Sequence, residues 1–404
     1  MTLMFSARRG LFVIAACLLV LAACSGSSPS ESGPTESGPI EAGEPYLIGM
    51  ATAQTGAIAP FDIPAVEGFQ IGIDELNATG GLGGRYPVEV EQCDGRSDAA
   101  QTAVCAQEMV DKDVDLLIVP CDGDLVLAAG PIGQAAGIPT ISLCASPPTL
   151  TDEVGDYMFG NTFGDNVQAA VLADHAIDQG YQSAYTLNSP DTLYTQDVPE
   201  YFADAFTARG GDVVGADSFS IGQQDFSAIV TRIQNLSPAP DVIMTSAYEP
   251  DFPAFIKQLR SAGVDTPVLG SDGIDTPTIT EIGAPAEGVV FSGLGFPEPG
   301  STLEAFYERY EQVKGERPET PYTAVGFDAT AVIDAAVQAA GSTDKAAVRD
   351  AIAGLVDVQG ATGLITYAGT NRMPIKQVTL TQIQDGERVL IGQFTPDPSE
   401  VPAP

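Results

Sequence analysis

The sequence predicts an α/β protein made of two lobes, each built on a parallel β-sheet. From residue 46 onward, short apolar runs alternate with segments of helical periodicity, and this alternation is typical of β-α-β units with right-handed crossovers. The same alternation of strand and helix patterns begins again in the second half of the chain, which indicates a second lobe. The chain has 404 residues, of which 44% are apolar, so it is long enough to form two hydrophobic cores.

The first β-α-β series predicts four strands with three helices between them. In its first helix, Val66, Phe69, Ile73 and Leu76 follow one another at intervals of 3, 4 and 3 residues, which places them on one helix face. Strands are predicted at 46–51, 88–91, 116–119 and 138–143, and helices at 66–76, 99–110 and 125–136.

The second half repeats the pattern and ends in a hairpin. Strands are predicted at 184–187, 213–219, 242–245, 268–269 and 289–292, with a helix at 226–236. A late helix pair is predicted at 303–313 and 324–340, followed by an apolar segment at 364–367. Asp385-Gly386 between the runs 378–383 and 388–391 is a turn sequence typical of a two-residue β-hairpin.

Charge and composition exclude several classes of function. The chain has 54 acidic and 17 basic side chains, a net charge of −37, whereas a nucleic-acid binder needs clustered Lys and Arg. This balance also disfavours electrostatic docking onto anionic lipid. With one histidine and no tryptophan, a Ser-His-Asp hydrolase and a His-rich metal site are both disfavoured. We therefore expect no cofactor, no metal ion and no nucleic-acid partner.

The N-terminus has the features of a secretion signal. Residues 1–24 contain Arg8 and Arg9 before an apolar core at 11–21, and this core is shorter than the roughly 20 residues needed to span a bilayer. The core runs into Leu-Ala-Ala-Cys24, which resembles a bacterial lipobox; the alternative is an ordinary cleaved signal with a chance cysteine. Lipid on Cys24 would hold the body outside the cell, anchored to the cell membrane.

Both ends of the exported chain are predicted to be disordered. Residues 25–45 are rich in Ser, Gly, Pro and Glu, so they cannot bury enough apolar surface to fold and should form a flexible tether. The Pro-rich segment 396–404 is predicted to be a disordered tail.

Four cysteines remain in the body, and disulfides are the favoured interpretation in an exported protein. Cys121 and Cys144 each end an apolar run, so on neighbouring parallel strands they would be within disulfide reach. Cys93 would then pair with Cys105. The rival pairing is Cys93 with Cys121, and a zinc site is the remaining alternative, although the sequence has no C-x-x-C motif.

The ligand site is predicted at the loops that follow the strands. In open parallel sheets, ligands bind beyond the carboxyl ends of the strands, where the strand order reverses. The corresponding loops are 53–61, 121–124, 144–147, 188–194, 246–249 and 270–273, and they contain no Lys or Arg. A phosphate ligand would bind poorly there, whereas a small zwitterionic or cationic ligand would bind well.

These loops belong to a wider pattern that resembles a known family. In order, the chain has TGAIAPFDIPAVEGFQIGIDELNATGGLGG, SDAAQTAVCAQEMVDKDVDLLIVPCDGD, AAGIPTISLCASPPTLT, DFPAFIKQLRSAGVDTPVLGSDG and YTAVGFDATAVIDAAV. Their order and spacing are similar to the Leu/Ile/Val-binding lipoproteins of branched-chain amino-acid ABC transporters, which are type I periplasmic binding proteins. The resemblance implies two Rossmann-like lobes joined by three crossovers, with 46–163 plus 295–358 forming the N-terminal lobe and 164–294 plus 359–395 the C-terminal lobe.

The resemblance also implies a set of ligand-binding residues. A ligand carboxylate would be held by the hydroxyl of Ser146 with the backbone of Cys144 and Ala145, and a ligand ammonium by Asp272. Aromatic walls would be formed by Phe61, Tyr194, Tyr248 and Tyr322.

Each assignment has a plainer alternative. The tyrosines pack equally well in lobe interiors, Ser146 suits a helix cap, and Asp272 suits a turn. A calcium site at Asp122 and Asp124 lacks further ligands at the required spacing.

One position departs from the family pattern. Asp122 stands where the family often has a serine for the ligand carboxylate, and two carboxylates repel one another unless one is protonated. Either Asp122 turns away and Gly123 offers its N–H, or the ligand carries additional positive charge. A simple aliphatic amino acid is therefore the less certain ligand.

The sequence as a whole predicts a lipid-anchored, extracytoplasmic solute-binding protein of an ABC importer. It would be a monomer and not an enzyme, and it would bind a small amino acid or a related amine or amide by hinge closure, with an ABC permease as its partner. The alternative is a surface sensing module that regulates a membrane partner without transport. A carboxylate-based hydrolase using Asp122 and Asp124 is disfavoured, because neighbouring turn residues do not provide a paired acid and base.

Overall fold

The computed structural model describes residues 43–404. The predicted signal segment 1–24, the lipidation site Cys24 and residues 25–42 of the predicted tether lie outside the described residues. Among the described residues, no helix is both long enough and apolar enough to cross a membrane.

The first lobe contains a parallel five-stranded sheet in the order β2-β1-β3-β4-β5. The central strand β3 is entirely apolar and entirely buried, as expected for a strand covered by helices on both faces. The strands are β1 (Tyr46–Thr52), β2 (Val88–Asp94), β3 (Leu116–Val119), β4 (Thr140–Ser142) and β5 (Met158–Phe159). The short strands β4 and β5 have the same direction as β3, so all five carboxyl ends lie on one edge.

Helices cover both faces of the first sheet. They are α1 (Ala59–Ala78), α2 (Ala99–Asp111), α3 (Gly123–Ala136) and α4 (Leu150–Val154), joined later in the chain by α10 (Thr302–Lys314), α11 (Tyr322–Ala340) and α12 (Lys345–Gly354). Helix α1 begins seven residues before its predicted start at 66, because Pro60 stands in its first turn, where a missing N–H costs no hydrogen bond.

The second lobe contains a mixed seven-stranded sheet in the order β14-β13-β10-β9-β8-β6-β7. Its parallel part consists of β6 (Ser183–Asn188), β7 (Asp212–Ser218), β8 (Val242–Thr245), β9 (Val268–Gly270) and β10 (Val290–Gly293). The hairpin β13 (Val378–Gln384) and β14 (Glu387–Phe394) adds antiparallel to β10. Asp385 and Gly386 both have positive φ, 51° and 79°, as the predicted two-residue turn requires.

The second sheet is covered by α5 (Asp165–Asp178), α6 (Leu193–Ala208), α7 (Ser227–Asn235), α8 (Asp251–Ser261) and α9 (Thr278–Glu281). A separate two-stranded antiparallel sheet is formed by β11 (Val358–Gly360) and β12 (Gly363–Ile365). Periodicity gave ranges for six of the helices, but it gave none for α5, α6, α8 and α12, and it missed the short strands β5 and β11.

Three crossovers join the two lobes, as the sequence implied, but the last one lies later than expected. The predicted lobe boundary after residue 358 divides the β11–β12 hairpin. Ile365 and Tyr367 are buried in the core of the first lobe, and the Tyr367 hydroxyl donates to the Gly160 carbonyl at 2.7 Å. The first lobe therefore extends past residue 367, because these apolar side chains need its core.

Glycines allow the two longest helices to touch backbone to backbone. A Cβ at Gly68 of α1 would lie 1.7 Å from the Thr323 carbonyl oxygen, and one at Gly326 of α11 would lie 1.7 Å from that of Ala65. Helices cross this closely only where no side chain separates them. The contact fixes the start of α11, and with it Tyr322, against α1.

The C-terminal segment differs from the expected disordered tail. Pro398–Glu400 form a short 3₁₀ helix, and the Asn166 amide donates to the Pro402 carbonyl at 2.8 Å. Segment 395–404 lines a groove together with residues 369–376. Its prolines restrict φ, so the segment loses less conformational entropy when it adopts a single conformation.

Candidate ligand-binding site

The candidate site lies in the cleft between the lobes, where the carboxyl ends of both sheets meet. The strand order reverses at β1/β3 in the first sheet and at β6/β8 in the second, and such reversals open a crevice between the following loops. The loops that the sequence selected lie there, since a cavity in the cleft is bordered by residues from all six of them.

The cavity brings together nine of the ten site residues that the sequence analysis predicted. From the first lobe, Phe61, Asp122, Gly123, Cys144 and Ser146 line it. Tyr194, Tyr248 and Asp272 face them from the second lobe, with Tyr322 at the start of α11. About 40 Å³ is open to the centres of water-sized spheres, while a single water needs roughly 10–15 Å³ on that measure. The space therefore suits a small molecule.

Ala145 is the predicted residue that the structure keeps out of the cavity lining. Its N–H donates to the Ser142 hydroxyl at 2.8 Å, and its side chain packs in the core of the first lobe. Residues that the prediction missed also line the cavity, namely Ile58, Cys121, Pro147, Thr192 and Gly273. All five belong to the loops at the carboxyl ends of the strands, where ligands bind in open parallel sheets (the strand-end rule). This rule therefore predicted the segments that contain them, whereas the resemblance to the family did not.

Four aromatic rings form one wall of the cavity. Phe61 meets Tyr322 edge to face with ring centres 5.2 Å apart, and it meets Tyr248 at 5.9 Å with the ring planes at 90°. Tyr194 and Tyr248 are 6.2 Å apart. Edge-to-face contact is a favoured arrangement for aromatic pairs, so the rings hold one another in place as a preformed apolar wall.

The Tyr194 hydroxyl is the centre of a hydrogen-bond network around Asp272. It lies 2.8 Å from Asp272 Oδ1 and 2.6 Å from Ser271 Oγ, and it accepts the Gly273 N–H at 2.8 Å. The Tyr322 hydroxyl donates to the Asp272 carbonyl oxygen at 3.1 Å. Tyr194 thus orients the carboxyl of Asp272, while Tyr322 holds its backbone.

A second buried carboxyl lies behind Asp272, and sequence reasoning missed it. Gln168 accepts from the Asp272 N–H at 3.2 Å and the Ser292 hydroxyl at 2.7 Å, and its own amide donates to Asp165 Oδ1 at 2.9 Å. The other oxygen of Asp165 has no hydrogen-bond partner among the described residues, although the side chain is fully buried. Asp165 and Gln168 lie on one buried face of α5 at helical spacing, but both are polar, so a search for apolar periodicity did not find them.

Asp122 caps helix α3 while lining the cavity. Its Oδ1 accepts the Leu125 N–H at 3.0 Å, and its backbone is extended, with φ −121° and ψ 130°. This is the geometry of an N-cap residue. Asp122 therefore borders the cavity while its carboxylate is held by its own helix, and the Gly123 N–H beside it has no hydrogen-bond partner among the described residues.

The electrostatics of the site are acidic. Burial raises the pKa of Asp122 to about 6, against the lowering effect of the Leu125 N–H. Burial also raises the pKa of Asp272 and, more strongly, that of Asp165, to which the Asp272 charge adds. The residues that line the cavity in the described chain include no Lys, Arg or His. Within residues 43–404, no cluster of three or more potential ligands is arranged to hold a metal ion.

Two disulfides occupy the first lobe, in the pairing that the sequence favours. Cys121 is bonded to Cys144 with Cα atoms 4.3 Å apart, and Cys93 to Cys105 with Cα atoms 5.4 Å apart. The first bond joins the ends of the neighbouring parallel strands β3 and β4, and both of its cysteines line the cavity.

Comparison with known proteins agrees with this geometry. The family model described as periplasmic binding protein matches residues 45–388, which is most of the chain. The chain belongs to the periplasmic binding protein family. It is therefore a binding protein and not an enzyme.

Relatives of this periplasmic binding protein have different ligands in their names. It is 24% identical to "Leu/Ile/Val-binding protein homolog 3" of Brucella melitensis, over 85% of this chain and 92% of that protein. The crystal structure of a leucine-binding protein from Thermotoga maritima is 26% identical, covering 87% of this chain and 99% of the other, with a TM-score of 0.79. A solute-binding protein from R. palustris in complex with 4-hydroxybenzoate is 22% identical, covering 87% and 98%, with a TM-score of 0.78.

Proposed function

We propose that this periplasmic binding protein is the solute-binding component of an ABC importer and that it closes over a small amine-bearing ligand, an amino acid or a related amine or amide. The observation that carries the proposal is the inter-lobe cavity in which Asp272, oriented by Tyr194, faces aromatic rings, with no basic side chain among the lining residues of 43–404. The names of the leucine-binding relatives support an amino acid or a close analogue.

The mechanism is hinge closure. A ligand would first contact one lobe, and contacts from the other lobe would then favour the closed form. Each lobe contributes its own groups: Asp122 and Ser146 from the first, Asp272 and Tyr194 from the second. A dissociation constant near 1 µM corresponds to about 8 kcal/mol, which an ammonium–carboxylate pair and aromatic burial can supply after the entropy of association is subtracted.

Thermal-shift screening followed by calorimetry tests the proposal. We expect amino acids, amines or amides to raise the melting temperature, and Asp272→Asn to weaken binding of an amine ligand by at least tenfold. Asp265→Asn, which makes the same change at an exposed site outside the cavity, should leave the affinity unchanged. If no member of such a panel stabilises the protein, the proposal is wrong.

We also propose that lipid on Cys24 holds the protein at the outer face of the cell membrane. The apolar core before Cys24 and the polar tether after it support this location. The full-length chain should fractionate with membranes, whereas Cys24→Ser should be released from them. Co-purification of a permease and an ATPase with the membrane-bound form would favour import over the alternative of sensing without transport.

A further inference from the structure

One buried carboxylate, that of Asp62, joins the two loops at the strand reversal of the first sheet. Asp62 stands in the first turn of α1 and is fully buried. Its Oδ2 accepts the Ala53 N–H at 2.6 Å, and its Oδ1 accepts the Cys121 N–H at 2.8 Å. Ala53 directly follows β1, and Cys121 lies just beyond the end of β3. The side chain therefore bridges the carboxyl ends of β1 and β3, between which the strand order reverses.

The surroundings of this carboxylate indicate a role in holding the backbone. Burial raises the pKa of Asp62 to about 7, against the lowering effect of the two N–H groups, and the Asp122 charge adds to the rise. An ionised carboxylate accepts hydrogen bonds at both oxygens and donates none, so it matches two N–H donors. Burying such a charge is costly. What Asp62 provides in this position is a fixed separation between two backbone segments.

One of these segments leads straight into the cavity lining. Cys121, Asp122 and Gly123 all border the cavity, whereas Asp62 does not. Cys121 is held at two atoms, its N–H by Asp62 and its sulfur by Cys144. Asp122 then caps α3, which leaves the Gly123 N–H beside the cavity without a partner among the described residues. The position of this lining segment thus depends on where Asp62 holds its first residue.

The helix that carries Asp62 also carries part of the aromatic wall. Phe61 precedes Asp62 in α1 and lines the cavity, and its ring lies 5.9 Å from that of Tyr248, centre to centre. Because the two residues are neighbours in one helical turn, a shift of Asp62 moves Phe61 as well. The separation between the Phe61 ring and the segment Cys121–Gly123 is therefore set through the hydrogen bonds of one side chain.

We propose that Asp62 is a positioning residue of the ligand site: without touching the ligand, it holds the segment Cys121–Gly123 and the ring of Phe61 at the separation that a bound solute requires. The inference rests on the proposed function, since it needs a solute in this cavity. Asparagine in place of Asp62 would keep the size of the side chain, but only one of its two terminal atoms accepts a hydrogen bond. One of the two backbone segments would then be released.

Calorimetry with L-leucine tests this role. The measurement is made at pH 8, above the value of about 7 to which burial raises the pKa of Asp62, so that the carboxylate is ionised. Asp62→Asn should weaken leucine binding about tenfold or more. In protein labelled with ¹⁵N-cysteine, the amide proton signal of Cys121 should move upfield, because its N–H no longer donates to a charged acceptor. A loss of overall stability alone would move neither quantity.

Asp115→Asn is the matched control. Asp115 also joins β1 to β3 by accepting a backbone N–H, that of Leu47 at 2.8 Å, but it stands at the amino end of β3 and does not line the cavity. This variant should leave the leucine affinity and the Cys121 signal unchanged. If a thermal melt shows that Asp62→Asn does not fold, Asp62→Glu takes its place. It keeps the charge but lengthens the side chain, so it should also weaken leucine binding.

The possible outcomes separate this inference from the proposed function. Unchanged leucine affinity in the Asp62 variant, or an equal loss in Asp115→Asn, would overturn the inference and leave the proposed function intact. If leucine does not bind the wild-type protein, the amino acid, amine or amide that raises its melting temperature most replaces leucine in the same comparison. If no such compound stabilises the wild-type protein, both proposals are wrong.

Discussion

Replacing Lys376 by methionine should destabilise the protein more than the loss of any exposed ion pair. The Lys376 ammonium lies 2.9 Å from Asp328 Oδ2 and 3.2 Å from the Asn161 carbonyl oxygen. Asp328 also accepts from the Ala361 N–H at 2.5 Å and from the Thr362 hydroxyl. Lys376 lies on the third crossover and Asn161 on the first, so the cation ties both connections to helix α11 of the first lobe.

The magnitude follows from burial. Lys376 is 5% exposed and Asp328 is fully buried, so removing the ammonium leaves an uncompensated carboxylate in the interior. Breaking one partner of a buried pair typically costs about 3–5 kcal/mol. An exposed pair contributes only about 0.2–1 kcal/mol, and Lys314 with Glu67 at 3.1 Å, with 35% and 38% of their side chains exposed, provides that reference.

Urea denaturation followed by circular dichroism measures the free energy of unfolding. Lys376→Met should lose about 3–5 kcal/mol and Lys314→Met no more than about 1 kcal/mol. The double variant Lys376→Met with Asp328→Asn should recover part of the loss, because no charge then remains buried and the amide oxygen still accepts from the Ala361 N–H. Equal losses in the two single variants would refute the reasoning, and so would a double variant less stable than Lys376→Met.

Three further predictions concern the disulfides, the helix contact and pH. Replacing both cysteines of the Cys121–Cys144 bond by serine should cost about 3 kcal/mol of stability and weaken ligand binding, because both cysteines line the cavity. The same change at Cys93–Cys105 should lower the melting temperature without changing the affinity measured by calorimetry. Gly326→Ala should destabilise the protein by about 1–3 kcal/mol through overpacking, although alanine normally favours helices. Gly354→Ala, with open space around it, should leave the melting temperature unchanged or raise it. If Gly354→Ala lowered the melting temperature more than Gly326→Ala, the close helix contact would be contradicted. Affinity for a cationic ligand should rise as pH increases through about 6, because burial raises the pKa of Asp122 to that value and only the ionised carboxylate attracts the cation. Asp122→Ser should flatten this pH profile. A wild-type affinity that falls as pH increases over this range would contradict the prediction.

The parts of the fold that could be predicted are those that obey a single period. Strand β3 coincides with the predicted range 116–119 because four consecutive apolar residues are buried on both faces. Strand β4 is shorter than predicted, since Pro139 has no N–H for the sheet ladder and the strand begins at Thr140. The lobe boundary at 358 was wrong because the β11–β12 hairpin pairs only with itself, and nothing local in its sequence assigns it to a lobe.

The site was predictable to the level of loops and only partly to the level of side chains. The strand-end rule selected the segment containing Thr192, yet only the geometry shows that this residue borders the cavity. Asp165 and Gln168 lie on a buried helix face that periodicity reads as apolar, so their hydrogen bonds to each other and to Asp272 depend on tertiary structure. Ala145 shows the opposite error, since its place in the chain beside Ser146 did not bring it into the cavity lining.

The hairpin that closes the second sheet offers a place to attach a reporter. Because β13 runs antiparallel to β10, its turn at Asp385 and Gly386 lies at the end of the sheet opposite the mouth of the cleft. A fluorescent domain inserted between these two residues would leave the entrance for solute unobstructed and would move with the second lobe, so a second fluorophore on the first lobe would report closure as a change in distance. The same turn is therefore a natural insertion point for building a genetically encoded sensor from this scaffold.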